Sequence, residues 1–525
     1  MAQIRVDHLT FAYEGSFDNI FEDISFSIDT NWKLGFLGRN GKGKTTFLNL
    51  LLGKYEYSGS ISASTAFDYF PYPVAPGQME LSAAELLEQW KAGSALWRVL
   101  AELDQLRGNA EVLYRPFRTL SPGERTKVML AILFSGENDF LLIDEPTNHL
   151  DQSSRENVKD YLASKKGFIL VSHDRDLLDA CTDHVLVLNR KSIDVQNGNF
   201  SVWWENKQRR DQFVRAENEK HIREIGKLKQ SAAQIAQWAD RNERTKIGFD
   251  PVKEHDRFKN TRAYLGAKTK KMQSRVSQMQ KRIGREIEEK EGLLADLEEP
   301  VDLKLMPLCH HKERLIHIRE FTVAYEGSAH PVFPNLTFDL MQGERVALHG
   351  ENGCGKSTLI KLVLQKAGIG AGDQEACALP GRQKNGAGVK LPVTESGVCE
   401  TAAGLVISYI NQDTSFLKGS IRAFCRARGL EESLFCAILR QLDMERAQFL
   451  KNMEDYSEGQ KKKVLIAASL LSPAHIYIWD EPLNYIDVFS RMQIEKLLLS
   501  CQPTMLFVEH DVRFREQIAT KTVEF

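Results

Sequence analysis

Apolar and polar residues alternate along this chain in two rhythms. Short apolar runs such as Phe140–Ile143 and Ile476–Trp479 read as buried strands of a parallel sheet. Each is accompanied by helix-opening patterns, and the same order of elements occurs twice. Between about Asn199 and Pro300 the rhythm changes. Ile225, Leu228, Ala232, Ile235 and Ala239 recur at alternating spacings of three and four, as do Val276, Met279, Ile283 and Ile287. That period predicts two helices sharing an apolar seam. They fold back at a bend from about Asn242 to Thr261, which contains Gly248 and Pro251. A helix of about 40 residues is roughly 60 Å long, so the bend is expected to lie far from the sheets. The expected architecture is α/β: halves at 1–198 and 301–525 joined by an antiparallel helical hairpin at 199–300.

The repeat is explicit in the motifs. "FLGRNGKGKTTFLNLLL" (Phe36–Leu52) returns as "ALHGENGCGKSTLIKLVL" (Ala347–Leu364). Both fit the phosphate-loop pattern G-x-x-x-x-G-K-[ST], through Gly38, Gly43, Lys44 and Thr45, and through Gly350, Gly355, Lys356 and Ser357. Glycines let backbone N–H groups point at phosphate oxygens, and the following helix N-terminus adds a favourable dipole. The lysine reaches the β- and γ-phosphates and the hydroxyl binds Mg²⁺. "FLLIDEP" and "IYIWDEP" then supply Asp144 and Asp480 to hold Mg²⁺, and Glu145 and Glu481 to polarise the attacking water. His173 in "SHD" and His510 in "EHD" are placed to touch the γ-phosphate. ATP and Mg²⁺ are therefore the expected substrate and cofactor.

"LSPGERTKVMLA" and "YSEGQKKKVLIA" each open a helix, with Ser121 and Ser457 standing 23 residues before the aspartates. They resemble the signature motif of ABC ATPases, usually LSGGQ. The resemblance implies two P-loop ATPase domains of ABC type that close face to face on two ATPs. One site would use the loop Gly38–Thr45, Glu145 and His173, completed by Ser457 and Gly459. The other would use Gly350–Ser357, Glu481 and His510, completed by Ser121 and Gly123. The expected ATP-binding set also includes Asn40, Gly41, Thr46, Glu124, Asn352, Gly353, Thr358 and Gln460. Tyr13 and Tyr325, each in "AYEG", stand where ABC proteins place an adenine-stacking aromatic; the bland alternative is a core tyrosine. Gln412 matches the family's Mg²⁺-contacting glutamine, whereas the first half has Tyr72 at the aligned position. Pro122 replaces the usual glycine of the first signature.

Composition narrows the function. With 42% hydrophobic and 27% charged residues the chain is of ordinary globular type. No apolar run reaches the ~18–20 residues of a membrane span, and the start lacks a signal-peptide core. The eight cysteines form no CxxC pair, and His310-His311 has no matching cluster, so no zinc site is expected. A cytoplasmic, membrane-free and monomeric protein is expected, its two ATPase domains pairing within one chain. Between His221 and Arg285 there are 17 Lys and Arg against 6 Asp and Glu, in a chain of net charge −2. Such asymmetry suggests a polyanionic partner, with a solvated coiled coil as the alternative. Lys246, Phe249, Lys253, Phe258 and Lys259 at the bend are candidates for phosphate and base contacts.

Two ABC domains around a basic hairpin resemble the ABC-F family. Membership implies binding at the ribosomal exit site, with the hairpin directed towards P-site tRNA and the large-subunit rRNA of the peptidyl-transferase centre. The extended bend and "YFPYPV" are similar to the antibiotic-resistance branch, Lsa-like proteins in particular. That branch implies displacement of lincosamides, pleuromutilins and streptogramin A. Alternatives are a housekeeping translation factor of the same family, the ATPase of a drug exporter, and a DNA-repair or chromosome-structure ATPase. The stretch Ala367–Gly404, rich in Gly and Ala, reads as a surface loop without chemistry.

Overall fold

A computed structural model describes residues 3–13, 19–136, 139–148, 150–189, 193–244, 274, 276–279, 281–287, 305, 307–327, 330–368 and 392–525. The chain forms two compact units, one of Met1–Trp203 with Pro300–Phe525 and one of Trp204–Glu299.

The first unit contains two similar α/β halves. In the amino-terminal half a six-stranded sheet has the order Ala66–Phe70, Asp139–Asp144, Phe168–Val171, Lys33–Leu37, His184–Leu188, Ile193–Asn197. Only its last pair is antiparallel. The carboxyl-terminal half has a parallel sheet ordered Ile407–Ile410, Ile476–Asp480, Met505–Val508, Arg345–His349, Lys521–Glu524. Phe140–Ile143 and Ile476–Trp479 are buried at every position. A parallel strand covered on both faces has no polar side to show, which is why these runs do not alternate. Each half also has helices packed as a lobe before the core strand that ends in aspartate. In the second half Ile421–Arg428, Glu432–Gln441 and Glu458–Leu471 enclose Phe435, Leu439 and Ile466, and meet Tyr477 and Trp479 of that strand.

A three-stranded antiparallel sheet flanks each parallel one. Gln3–Phe11 lies between Phe21–Asp29 and Ser58–Ser62, and Arg314–Tyr325 between Phe333–Met341 and Val393–Thr401. The strand Val393–Thr401 corrects the reading of 367–404 as a loop. It is an edge strand with mostly exposed side chains, so no apolar alternation announces it. Backbone pairing holds it, with Cys399 opposite Ile318. Residues 369–391 lie outside the described residues.

The second unit holds the 45-residue helix Phe200–Arg244 from Trp204 onwards, and helical turns recur at 276–279 and 281–287. Ile225 and Ile283 are buried, and Leu228, Ala232, Val276 and Ile287 are half-buried. Met279 departs from the predicted seam, being 55% exposed. Four residues turn a helix by about 400°, so Met279 sits some 40° round from Ile283, at the edge of the stripe. The helix continues to Arg244, past the predicted start of the bend. Lys246, Phe249, Lys253, Phe258 and Lys259 lie outside the described residues, as do the side chains of Ile235 and Ala239.

Candidate active sites

Both phosphate loops leave the carboxyl end of a central strand, Lys33–Leu37 or Arg345–His349, where open parallel sheets place their ligands. Gly43 and Gly355 cap the next helices at φ 107° and 105°. A Cβ there would lie 2.6 Å from Ile20 or Val332. Glycine alone allows the left-handed turn that points successive amides into the loop. Gly38, Asn40 and Gly41 fill the first loop, and Gly350, Asn352 and Gly353 the second. The buried Lys44 ammonium donates to the Gly38 carbonyl at 2.6 Å and to Asn40 Oδ1 at 3.3 Å. Lys356 donates to the Gly350 and Glu351 carbonyls at 2.8 and 2.7 Å. The ammonium of each lysine is thus held in the mouth of its own loop. Burial pulls the Lys44 ammonium below the usual lysine range.

Behind each lysine stands a hydroxyl–carboxylate pair. Thr45 donates to Asp144 Oδ2 at 3.1 Å, and Ser357 hydrogen-bonds Asp480. Burial raises the Asp144 carboxyl, and burial with the neighbouring Glu481 pushes Asp480 up to about 6. Asp480 Oδ1 is buried without a hydrogen-bond partner. An orphaned carboxylate oxygen beside a hydroxyl fits a divalent cation. Among the described residues no three His, Cys, Asp or Glu groups cluster to hold one. A cation held by one hydroxyl and one carboxylate draws its other ligands from phosphate and water, as Mg²⁺ does.

Glu145 and Glu481 occupy left-handed backbone, φ 51° and 49°. For a residue with a side chain this costs about 1–3 kcal/mol, and such strain gathers at functional sites. His173 Nε2 lies 3.2 Å from Glu145 Oε1, and His510 Nε2 is at the same 3.2 Å from Glu481 Oε1. The surroundings of the two carboxylates differ. Glu481 Oε2 also accepts from Gln412 Nε2 and Asn484 Nδ2, each at 2.9 Å. Burial opposes ionisation of Glu481, but His510, Lys462 and Lys356 outweigh it and hold the carboxyl low. Glu145 is pushed up to about 8 by burial and by Asp144. His173 is driven well below the usual histidine range by burial and by Lys44.

Tyr72 falls at the strand position of Gln412, since Phe70 pairs with Ile143 as Ile410 pairs with Trp479. Its side chain nevertheless turns away. The hydroxyl donates to Asp68 at 2.7 Å and the ring stacks on Trp90 at 5.0 Å. Tyr69 reaches the first site instead, donating to Asp144 Oδ2 at 3.1 Å. Tyr13 and Tyr325 are 43% and 44% exposed, which removes the core-tyrosine alternative. Their hydroxyls bond Thr46 at 2.7 Å and Thr358 at 3.0 Å, so each ring stands beside its phosphate loop.

Signature helices meet the opposite half's loops. Tyr325, Lys356, Ser357, Gln412, Glu481 and His510 line a cavity of about 400 Å³ with Pro122 and Arg155 of the first half. Pro122 opens the helix capped by Ser121, and Gly123 follows it. At the other site Asn40 Nδ2 donates to the Tyr485 carbonyl at 2.7 Å, and a Cβ on Gly459 would lie 2.6 Å from that same oxygen. Ser121 and Ser457 accept from the amides of Glu124 and Gln460 at 3.2 and 3.3 Å. The serine amides in turn donate to Glu124 Oε2 and Gln460 Oε1 at 2.7 and 3.1 Å. A hydroxyl that accepts from an amide keeps its proton free to donate, so the capping box leaves both serines able to bond a phosphate oxygen. Tyr69, Arg155 and Tyr485 were not singled out from sequence. Arg155 had a signal, because "DQSSR" and "DVFSR" repeat an arginine at one spacing from the helix-capping aspartates Asp151 and Asp487.

Two phosphate loops, each facing a signature helix of the other half, define a tandem ATP-binding-cassette ATPase. The ABC transporter family model matches residues 21–148 and 333–484, and the chain belongs to that family, with the two-domain make-up of its ABC-F ATP-binding proteins. The ribosome protection protein VmlR of Bacillus subtilis is 26% identical over 523 residues, covering 96% of this chain and 84% of that one. The ATP-binding protein Uup of Caulobacter vibrioides is 24% identical, covering 96% of this chain and 74% of its own length. Among solved structures, the archaeal ribosome recycling factor aABCE1, in complex with the ribosomal stalk protein aP1, aligns over 98% of this chain and 87% of its own at TM-score 0.58. At 18% identity that likeness concerns the fold.

Proposed function

We propose that this ATPase binds the ribosome and protects it from antibiotics of the peptidyl-transferase centre, in the manner of the Lsa-like branch. The observation that carries the reading is the charge of the segment between the ATPase halves. Its net charge between His221 and Arg285 is +11, on a chain of net −2, and its first helix is 45 residues long. A reach of roughly 67 Å with that charge suits a polyanion of ribosomal size better than a small ligand. The 26% identity to a ribosome protection protein supports the same choice. The domains would be 1–198 and 301–525, with 199–300 as linker and about 242–261 as its tip. The protein would act as a cytoplasmic monomer. Among the described residues no helix is long and apolar enough to cross a membrane.

The geometry suggests how turnover proceeds. Lys44 and Lys356 leave their own loop carbonyls for β- and γ-phosphate oxygens. Ser121 and Ser457 donate across the seam to the γ-phosphate held by the other half, so two ATPs close the halves. Mg²⁺, when bound by Thr45 with Asp144 and by Ser357 with Asp480, would offset phosphate charge. Glu481, steadied by Gln412, Asn484 and His510, orients the attacking water; Glu145 and His173 form the counterpart. Closure directs the linker into rRNA near P-site tRNA and displaces lincosamide, pleuromutilin or streptogramin A. Hydrolysis then reopens the halves and ends the encounter. A housekeeping role on stalled ribosomes uses the same parts and differs only in drug susceptibility. The test is cell-free translation titrated with lincomycin. Purified protein with ATP should raise the inhibitory concentration, and an unchanged titration rejects the protective role.

A further inference from the structure

The seam between the ATPase halves carries ion pairs at positions where the two halves differ in charge. On the first phosphate loop Arg39 meets Asp443 of the second half at 2.8 Å, and Lys42 meets Glu445 at 2.6 Å. Asp443 follows the end of a lobe helix in left-handed backbone, φ 63°. Its structural counterpart in the first half is Arg107, which follows the helix Leu96–Gln105 at φ 52°. The counterpart of Arg39, one residue after Gly350, is Glu351. The two positions are therefore basic and acidic at one site, and acidic and basic at the other.

A second patch follows the same rule. Arg175, one residue after the helix cap Asp174, forms a buried double hydrogen bond to Glu495, one contact at 3.0 Å, and stands 4.0 Å from the cap Asp511, whose counterpart Asp174 is likewise acidic. Arg513, two residues after the cap Asp511, pairs with Asp176 and Asp179 of the first half. By position after the matching caps, Glu495 corresponds to Lys159, Arg175 to Val512, and Asp176 to Arg513.

The homotypic alternatives follow from these assignments. Two first halves would set Arg39 against Arg107, Arg175 against Lys159, and Asp176 against Asp176 and Asp179. Two second halves would set Glu351 against Asp443, leave Glu495 facing Val512, and bring Arg513 against Arg513, with Glu516 in the place of Asp179. Like charges across a seam are strongly disfavoured, and an unpaired buried carboxylate is costlier still. We propose that Arg39, Asp443, Arg175, Glu495, Arg513 and Asp176, with Arg107 and Glu351, form a charge code that lets a first half pair only with a second half. Two chains then cannot lock through like halves. This rests on reading the seam as the surface that ATP closes.

The test uses the full chain. Arg39→Asp, Asp443→Arg and the double exchange are compared by the ATP concentration that half-maximally contracts the protein in small-angle X-ray scattering. Each single reversal should raise that concentration at least about tenfold, and the exchange should return it to within about threefold of the parent. Arg175→Glu with Glu495→Lys provides the same comparison at the second patch if the first set folds poorly. An exchange no better than its worse single, or singles indistinguishable from the parent, overturns the code while ATP-driven closure stands. A parent chain that does not contract with ATP overturns both.

Discussion

Gly459 and Gly123 are each the second residue of a signature helix, yet alanine should affect them unequally. A Cβ on Gly459 would sit 2.6 Å from the Tyr485 carbonyl oxygen, with the Tyr485 Cβ next at 3.5 Å. Ordinary contact begins near 3.4 Å, so backbone must yield by some 0.8 Å. That carbonyl accepts Asn40 Nδ2, and Asn40 Oδ1 accepts the Lys44 ammonium. The displacement therefore passes across the seam to the first phosphate loop. Overpacking of this kind costs about 1–3 kcal/mol, which is about 5- to 150-fold in an equilibrium constant. At Gly123 the nearest atom is Ser154 Oγ at 3.1 Å, the end of a short side chain that can rotate away. Both changes gain the same helix propensity, about 0.5–1 kcal/mol. The unfolding midpoint should hold or rise in Gly123→Ala and hold or fall in Gly459→Ala, where the overpacking outweighs the propensity gain, and ATP turnover and nucleotide affinity should fall much further in Gly459→Ala. Equal losses in the two variants would refute the argument from Tyr485.

Lys463 and Asp487 are a buried pair at 3.1 Å with side-chain exposures of 3% and 0%. Lys463→Met leaves a buried carboxylate without its charge partner and should cost about 3–5 kcal/mol in urea unfolding. Burial alone would raise the Asp487 carboxyl, but the Lys463 ammonium and the Ser490 amide outweigh it and hold it well below the usual range. A depressed carboxylate stabilises the fold above its unfolded pKa and loses that contribution as pH falls towards the folded value. The penalty of Asp487→Asn should therefore be full at neutral pH and shrink below about pH 4. Gln412→Ala removes one of three side chains on Glu481 and should lower turnover about 10- to 100-fold with ATP affinity little changed. Glu145→Gln with Glu481→Gln should accumulate on ribosomes with ATP; sedimentation free of them ends the timing role of hydrolysis. Replacing Lys246, Phe249, Lys253, Phe258 and Lys259 by Gly and Ser should abolish drug protection with ATPase activity intact, and persisting protection assigns contact elsewhere.

What the sequence made legible divides along a physical line. A phosphate loop needs glycine where backbone turns left-handed, and a parallel strand covered on both faces needs unbroken apolar residues; both demands write themselves into short local strings. The strand Val393–Thr401 makes a weaker demand, because most of its side chains are exposed and its pairing runs through the backbone, so its sequence reads as loop. Contacts made by one half on the other are similarly hidden. Nothing around Tyr485 announces that its carbonyl receives Asn40, since any residue offers a carbonyl. Tyr72 shows the opposite failure. Its place in the strand was deduced correctly, but Trp90 and Asp68 offered a stacking face and an acceptor away from the site, and Tyr69 took the contact with Asp144. The repeat itself is the better guide: matched positions of the two halves carry Arg155 and Arg491 alike, and Arg107 opposite in sign to Asp443. Where matched positions agree, both sites need the same chemistry; where they oppose in charge, the halves are distinguished from each other.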